Sequence, residues 1–281
     1  MLSIESSVQQ FFSLNSWAYY IALFAAAVIY YTKAYISETT PNPHNKRSVW
    51  HLQHKKTMIV SQLILTLLLI VSVAIIAKNI WLHILSMPWY HWLLLFIFPL
   101  IALLYYGIIL PNHHLYNLRK TGWLKPFVIG FVWAGVVSIY PILFHYISIN
   151  KAYQFSVFGM VLFIKNLMFI AVLCIMFDIK DYASDYNQQL KTFVVRVGLR
   201  KTIFNIMLPL CAIGFGTFLT YTISHHFPIL RISINAIPFI LLIIVAYSMH
   251  QRKSILYYLA IIDGLMLVKA ISGIIGSTFI K

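Results

Sequence analysis

The sequence predicts an all-α, polytopic membrane protein of about eight transmembrane helices. Hydrophobic residues make up 61% of the chain and charged residues only 10%, against about 25% charged residues in soluble domains. Several apolar runs reach about 20 residues, the length of a helix that crosses a bilayer core. The runs are continuous rather than alternating, which argues against a β-barrel. Because the connecting loops are too short to fold alone, we expect residues 1–281 to form a single integral membrane domain.

The apolar runs give the position of each helix. Predicted spans cover about 16–36, 57–77, 91–110, 126–147, 155–177, 203–224, 229–249 and 255–276. Residues 78–90 contain Trp81, Trp89 and Tyr90, and these side-chain types favour the headgroup level of a membrane. Residues 1–15 are predicted to form a short interfacial helix on the membrane surface.

Basic residues fall unevenly between the two sets of loops. The segments 37–56, 111–125, 178–202 and 250–254 carry 14 Lys and Arg, and the opposite set carries 4. The positive-inside rule places the 14 in the cytoplasm. We therefore expect a multi-pass protein of a bacterial inner (plasma) membrane. The net charge of +15 then follows from topology and from attraction to anionic membrane lipid, and nucleic-acid binding is not expected.

Three of the six acidic residues lie within eight positions, at Asp178, Asp181 and Asp185. If the preceding helix continues past the membrane, these positions share one helical face. Carboxylates this close repel one another unless a hard cation lies between them, and Mg²⁺ bound in this way is completed by substrate phosphates. Lys191 and Arg196 downstream are placed to pair with phosphate oxygens. The alternative is a solvated, salt-bridged turn.

A motif extends this acidic cluster. Asp178, Asp181 and Asp185 are followed by Lys191-Thr192, Val195, Gly198 and Lys201. This spacing resembles the second aspartate motif of the UbiA-type intramembrane prenyltransferases. The resemblance implies helices around a central cavity and Mg²⁺ held by the aspartates, here on the cytoplasmic face. It also implies transfer of an isoprenoid group from a prenyl diphosphate to a lipophilic or aromatic acceptor.

The first aspartate motif of that family has no counterpart in this chain. No aspartate precedes Asp178, and the equivalent segment carries Thr32, Lys33, Ile36 and Thr40. Two hypotheses follow. Either Lys33, or Lys46 with Arg47, contacts the diphosphate directly as a fixed cation, or the protein keeps the fold and has lost prenyl transfer. In the second case it binds an isoprenoid lipid, or serves as a membrane subunit or transport protein.

Two charged residues lie deep inside predicted spans. Lys165 and Asp263 are costly to place in lipid and are expected to face a partner or a cavity. They are predicted either to pair with each other across two helices or to line a transport path or acceptor pocket.

Overall fold

The computed structural model describes residues 1–37, 50, 53–106, 109–110, 113–114, 122–187 and 192–279. The helices are α1 Leu2–Gln9, α2 Trp17–Ser37, α3 Lys55–Leu85, α4 Trp89–Tyr106, α5 Lys125–Ser148, α6 Val157–Asn187, α7 Phe193–Val197, α8 Leu199–Ser224, α9 Ile229–Ser248 and α10 Ile255–Thr278. Single π-helical segments interrupt α5 at Gly135–Ile139, α8 at Thr202–Met207 and α10 at Tyr258–Ile262. The short strands β1 Ile109–Leu110 and β2 His113–His114 pair antiparallel.

The helical membrane class predicted from the sequence is confirmed. In the described part of the chain, six helices are long and apolar enough to cross a membrane, namely α3, α5, α8, α9, α10 and Val157–Ala183 of α6. The predicted span 16–36 coincides with α2. The predicted span 91–110 overlaps α4, a shorter apolar helix that ends at Tyr106, and its residues 109–110 form β1 instead. Membrane crossing by α2 and α4, and hence the count of eight, stays a prediction.

The chain divides into two compact units. One contains Met1–Leu14, Pro88–Tyr146 and Lys151–Lys281, and the other contains Asn15–Met87 and Ile147–Asn150. In the second unit α2 packs along α3, and Gln62 of α3 donates a hydrogen bond to the Thr32 hydroxyl of α2.

Helix α6 is the centre of the first unit. Its neighbours are α5 and α8, and Val172, Ile175 and Met176 are 0% exposed. Gly130 lets α5 approach α6 closely, because a Cβ atom at this position would lie 3.2 Å from the Leu167 carbonyl oxygen of α6. The packed core therefore fixes the position of the α6 segment that carries the aspartates.

Helix α1 is present where the sequence predicted a short helix, but it does not lie on a surface. Its side chains Ser3, Glu5, Ser6, Ser7 and Gln9 are buried, and it packs on α10. This corrects the expectation of an interfacial helix. The physical reason is that Glu5 finds oppositely charged partners inside the first unit, which offsets the loss of its hydration.

Candidate functional site

The predicted acidic face exists. Helix α6 runs without a break through Val157–Asn187, about 46 Å at 1.5 Å per residue. This exceeds the roughly 30 Å of a hydrocarbon core, so α6 continues beyond its apolar segment. Asp178, Asp181 and Asp185 lie on one side of that continuous helix, as the spacing predicted.

The three carboxylates have different surroundings. Asp178 is 2% exposed, and its Oδ1 accepts a hydrogen bond from Lys125 Nζ at 2.6 Å. Its Oδ2 is buried and has no hydrogen-bond partner among the described residues. Asp181 is exposed and lies 3.6 Å from the Lys180 ammonium. Asp178 therefore carries an ion pair and an unused oxygen inside the protein, whereas the charge of Asp181 is solvated.

Asp185 lies one helical turn further along and is half-buried. Burial raises the pKa of its carboxyl above the usual range, and the nearby Asp181 charge raises that pKa further. The charges of Asp181 and Asp178 both disfavour ionisation of Asp185, as expected for carboxylates on one helical face. A cation bound to this face would relieve the repulsion.

Lys125 was not singled out as a site residue by the sequence analysis, which counted it only among the basic loop residues. It begins α5, and 53 residues separate it from Asp178. Nothing in the linear pattern joins the two. The packing of α5 on α6 brings them together.

The residues predicted to bind a diphosphate are partly described. Arg196 on α7 is exposed, and its guanidinium lies 5.6 Å from the Trp123 ring centroid, within cation–π range. Lys33 is exposed on α2, in the second unit. Lys46, Arg47 and Lys191 lie outside the described residues. The predicted diphosphate-binding role of these five residues stays a prediction.

Two further motif residues have clear local roles. Thr192 occupies the N-cap position of α7, and Gly198 follows its last residue. Gly198 has φ +89°, a conformation that L side chains rarely adopt. The glycine lets the chain turn from α7 directly into α8.

The aspartates offer the oxygen ligands that Mg²⁺ prefers. In the part of the chain that the structure describes, no group of three or more His, Cys, Asp or Glu side chains is arranged to hold a metal. Mg²⁺ is commonly held by one or two carboxylates together with waters and substrate phosphates. The unpartnered Asp178 oxygen therefore fits a site that substrate completes and does not fit a closed, three-carboxylate site.

A second charged group was not predicted and lies inside the first unit. Glu5 of α1 accepts hydrogen bonds from Lys269 Nζ at 2.7 and 2.9 Å, and Lys165 Nζ lies 3.5 Å from the same carboxylate. All three residues are at most 3% exposed. Lys165 thus pairs with Glu5. Of its two predicted alternatives, the pair with Asp263 is wrong, because Asp263 lies on the exposed side of α10. Two features of the sequence could have indicated this charged group: Glu5 is the one acidic residue of the first segment, and two lysines lie inside apolar spans.

The chain matches no protein-family model, no curated protein and no solved structure. The likeness to the UbiA-type enzymes therefore depends on the motif residues around Asp178–Lys201.

Proposed function

We propose that the protein is a Mg²⁺-dependent membrane prenyltransferase. It transfers an isoprenoid group from a prenyl diphosphate to a lipophilic or aromatic acceptor at the cytoplasmic side of a bacterial inner membrane. One observation carries the proposal. At the end of a membrane-spanning helix, three aspartates share a face that includes a buried carboxylate oxygen with no hydrogen-bond partner among the described residues.

The site offers a defined set of groups to the diphosphate. One or two of the carboxylates of Asp178, Asp181 and Asp185 would hold Mg²⁺ together with water and the substrate phosphates, and the ion would neutralise the negative charge of the leaving group. Lys125 is already beside Asp178 and adds a fixed positive charge at the same place. Arg196 is exposed and can present a planar fork of donors to phosphate oxygens.

These groups favour ionisation of the substrate. The bond between the first carbon of the prenyl group and the diphosphate oxygen breaks, and both electrons of the bond leave with the diphosphate. The acceptor then supplies an electron pair to the allylic cation and loses a proton. Negative charge develops on the diphosphate as the bond breaks. The positive charges around Asp178 would stabilise that charge in the transition state and so lower the barrier.

A second candidate function is supported by a specific contact. Because Lys125 already neutralises Asp178 at 2.6 Å, the acidic face can be stable without any cation. The chain also lacks the first aspartate motif. Under this alternative the protein binds an isoprenoid lipid, or serves as a membrane subunit or transport protein, and catalyses no transfer.

Release of pyrophosphate separates the two functions. The purified full chain in detergent is given prenyl diphosphates of several chain lengths and a panel of acceptors, with and without Mg²⁺. The enzyme hypothesis predicts Mg²⁺-dependent release that falls at least about tenfold in Asp181→Asn, because a ligand to the ion is lost. Asp263→Asn is the matched control, since it makes the same substitution on α10. Equal, Mg²⁺-independent rates in the wild type and Asp181→Asn would contradict the enzyme hypothesis and favour the binding protein.

A further inference from the structure

A small, partly open cavity lies beside the buried charge group in the first unit. It has a volume of about 10 Å³, which is room for roughly one water-sized occupant. Four polar side chains line it, from Gln9 of α1, Arg231 and Asn235 of α9, and Ser277 of α10. The remaining wall is formed by aromatic and aliphatic side chains, and no carboxylate borders the cavity.

Arg231 is a cation without a carboxylate partner in this cavity. It is 6% exposed, and no described Asp or Glu lies within 4.0 Å of it. Its guanidinium makes one long hydrogen bond, at 3.4 Å to the Ser277 hydroxyl, and lies 5.4 and 4.3 Å from the Phe11 and Phe227 ring centroids. Most of its donors are therefore available to another partner.

The surroundings add positive charge and do not remove it. Two lysines share the single carboxylate of Glu5, so that group has an excess of one positive charge. Gln9 connects this group to the cavity, because its Nε2 donates to both Glu5 and Asn235. Arg231 is also the third residue of α9, where the positive end of the helix dipole disfavours a cation.

A buried excess of positive charge is unstable unless an anion compensates it. Arg231 and Asn235 line a space with room for roughly one water-sized occupant, which favours a monatomic anion over a carboxylate or a phosphate. The side-chain amide of Asn235 has two N–H donors. One of them donates to the Arg231 carbonyl oxygen at 3.0 Å, and the other is left for an occupant of the cavity. We propose that this cavity binds one halide ion, chloride under physiological conditions, between the Arg231 guanidinium and the Asn235 amide. The site is separate from the proposed prenyl-transfer site.

Halide binding is tested by the thermal unfolding midpoint, Tm, of the full chain in detergent. Protein is exchanged into sodium gluconate and titrated with sodium chloride or bromide at constant ionic strength, with sulfate as the comparison anion. For a Kd near 1 mM, ligand stabilisation predicts a saturable Tm rise of about 5 °C by 100 mM halide. Neither gluconate nor sulfate fits the cavity, so neither should raise Tm in this way.

Two variants and a control assign the effect to the cavity. Arg231→Gln should abolish the chloride response, whereas Arg252→Gln, which changes an exposed arginine, should keep it in full. Asn235→Asp places a carboxylate beside Arg231 in place of the ion, so this variant should be chloride-independent, and its Tm should also reflect loss of the hydrogen bond to the Arg231 carbonyl. It also decides the question if Arg231→Gln does not fold.

Three results would overturn the proposal. A wild-type Tm that is the same in gluconate and in chloride would identify the occupant as water. A chloride response that survives in Arg231→Gln, or one that survives unchanged in Asn235→Asp, would place the halide elsewhere.

Discussion

Replacement of Glu5 by Gln should strongly destabilise the protein. The substitution keeps the size of the side chain and removes the negative charge that lies 2.7 Å from Lys269 and 3.5 Å from Lys165. Both ammonium groups are at most 3% exposed, so water cannot replace the lost partner. Removal of one partner of a buried ion pair costs about 3–5 kcal/mol, a large fraction of the roughly 5–15 kcal/mol that stabilises a typical protein.

Thermal unfolding in detergent, followed by tryptophan fluorescence, measures this loss. For a chain of this size, at about 2 °C per kcal/mol, the loss corresponds to a fall in Tm of about 6–10 °C. Asp181→Asn is the matched control, because its ion pair with Lys180 is half-exposed and exposed pairs contribute only about 0–1 kcal/mol.

A double substitution tests whether charge is the cause. Glu5→Gln combined with Lys269→Met restores the buried net charge of the wild type, and it should be less destabilising than Glu5→Gln alone. The explanation is refuted if Glu5→Gln unfolds within about 1 °C of Asp181→Asn, or if the two substitutions are simply additive.

Three further predictions concern the packing and the acidic face. Lys125→Gln should destabilise the protein by about 2 kcal/mol, less than a fully buried pair because the lysine is 34% exposed; adding Asp178→Asn should recover part of the loss in a urea titration. Gly273→Ala should lower Tm, because its Cβ would lie 2.4 Å from the acidic side chain of α1, at a cost of about 1–3 kcal/mol. Gly264→Ala in the same helix meets nothing within 4 Å and should not lower Tm. Because the folded-state pKa of Asp185 is raised, its contribution to stability is present below the ordinary value of about 3.9 and is lost as pH rises through the folded-state pKa. Asp185→Asn should remove this pH dependence of stability. In the wild type, affinity for Mg²⁺ should increase as the pH rises over the same range, and equilibrium titration with Mg²⁺ at several pH values would measure it.

The helices could be predicted from sequence because each is set by its own apolar run. The predicted segment 155–177 begins two residues before α6 and otherwise lies within it, and the predicted 229–249 differs from α9 by one residue. The continuation of α6 through Asp185 was also predictable, since the spacing of the aspartates is helical. These features depend on local composition and length, which a single sequence contains.

The charged contacts could not be predicted in the same way. Glu5 and Lys269 are 264 positions apart, and a sequence gives no direct signal of which helices pack together. The cost of a lysine in an apolar span correctly indicated that Lys165 needs a partner. Asp263, one of the two predicted alternatives, was the wrong partner because α1, taken for a surface helix, inserts the Glu5 carboxylate into the first unit.

Binding of a prenyl diphosphate tests the proposed function most directly, because it requires no knowledge of the acceptor. The measurement is the Tm of the full chain with Mg²⁺ and prenyl diphosphates of increasing chain length, each alone and together. The acidic face predicts a rise only when Mg²⁺ and the diphosphate are both present, and its loss in Asp181→Asn but not in Asp263→Asn. A Tm that does not change with any chain length, or a rise that persists in Asp181→Asn, would contradict the assignment of Asp178, Asp181 and Asp185 as the diphosphate site.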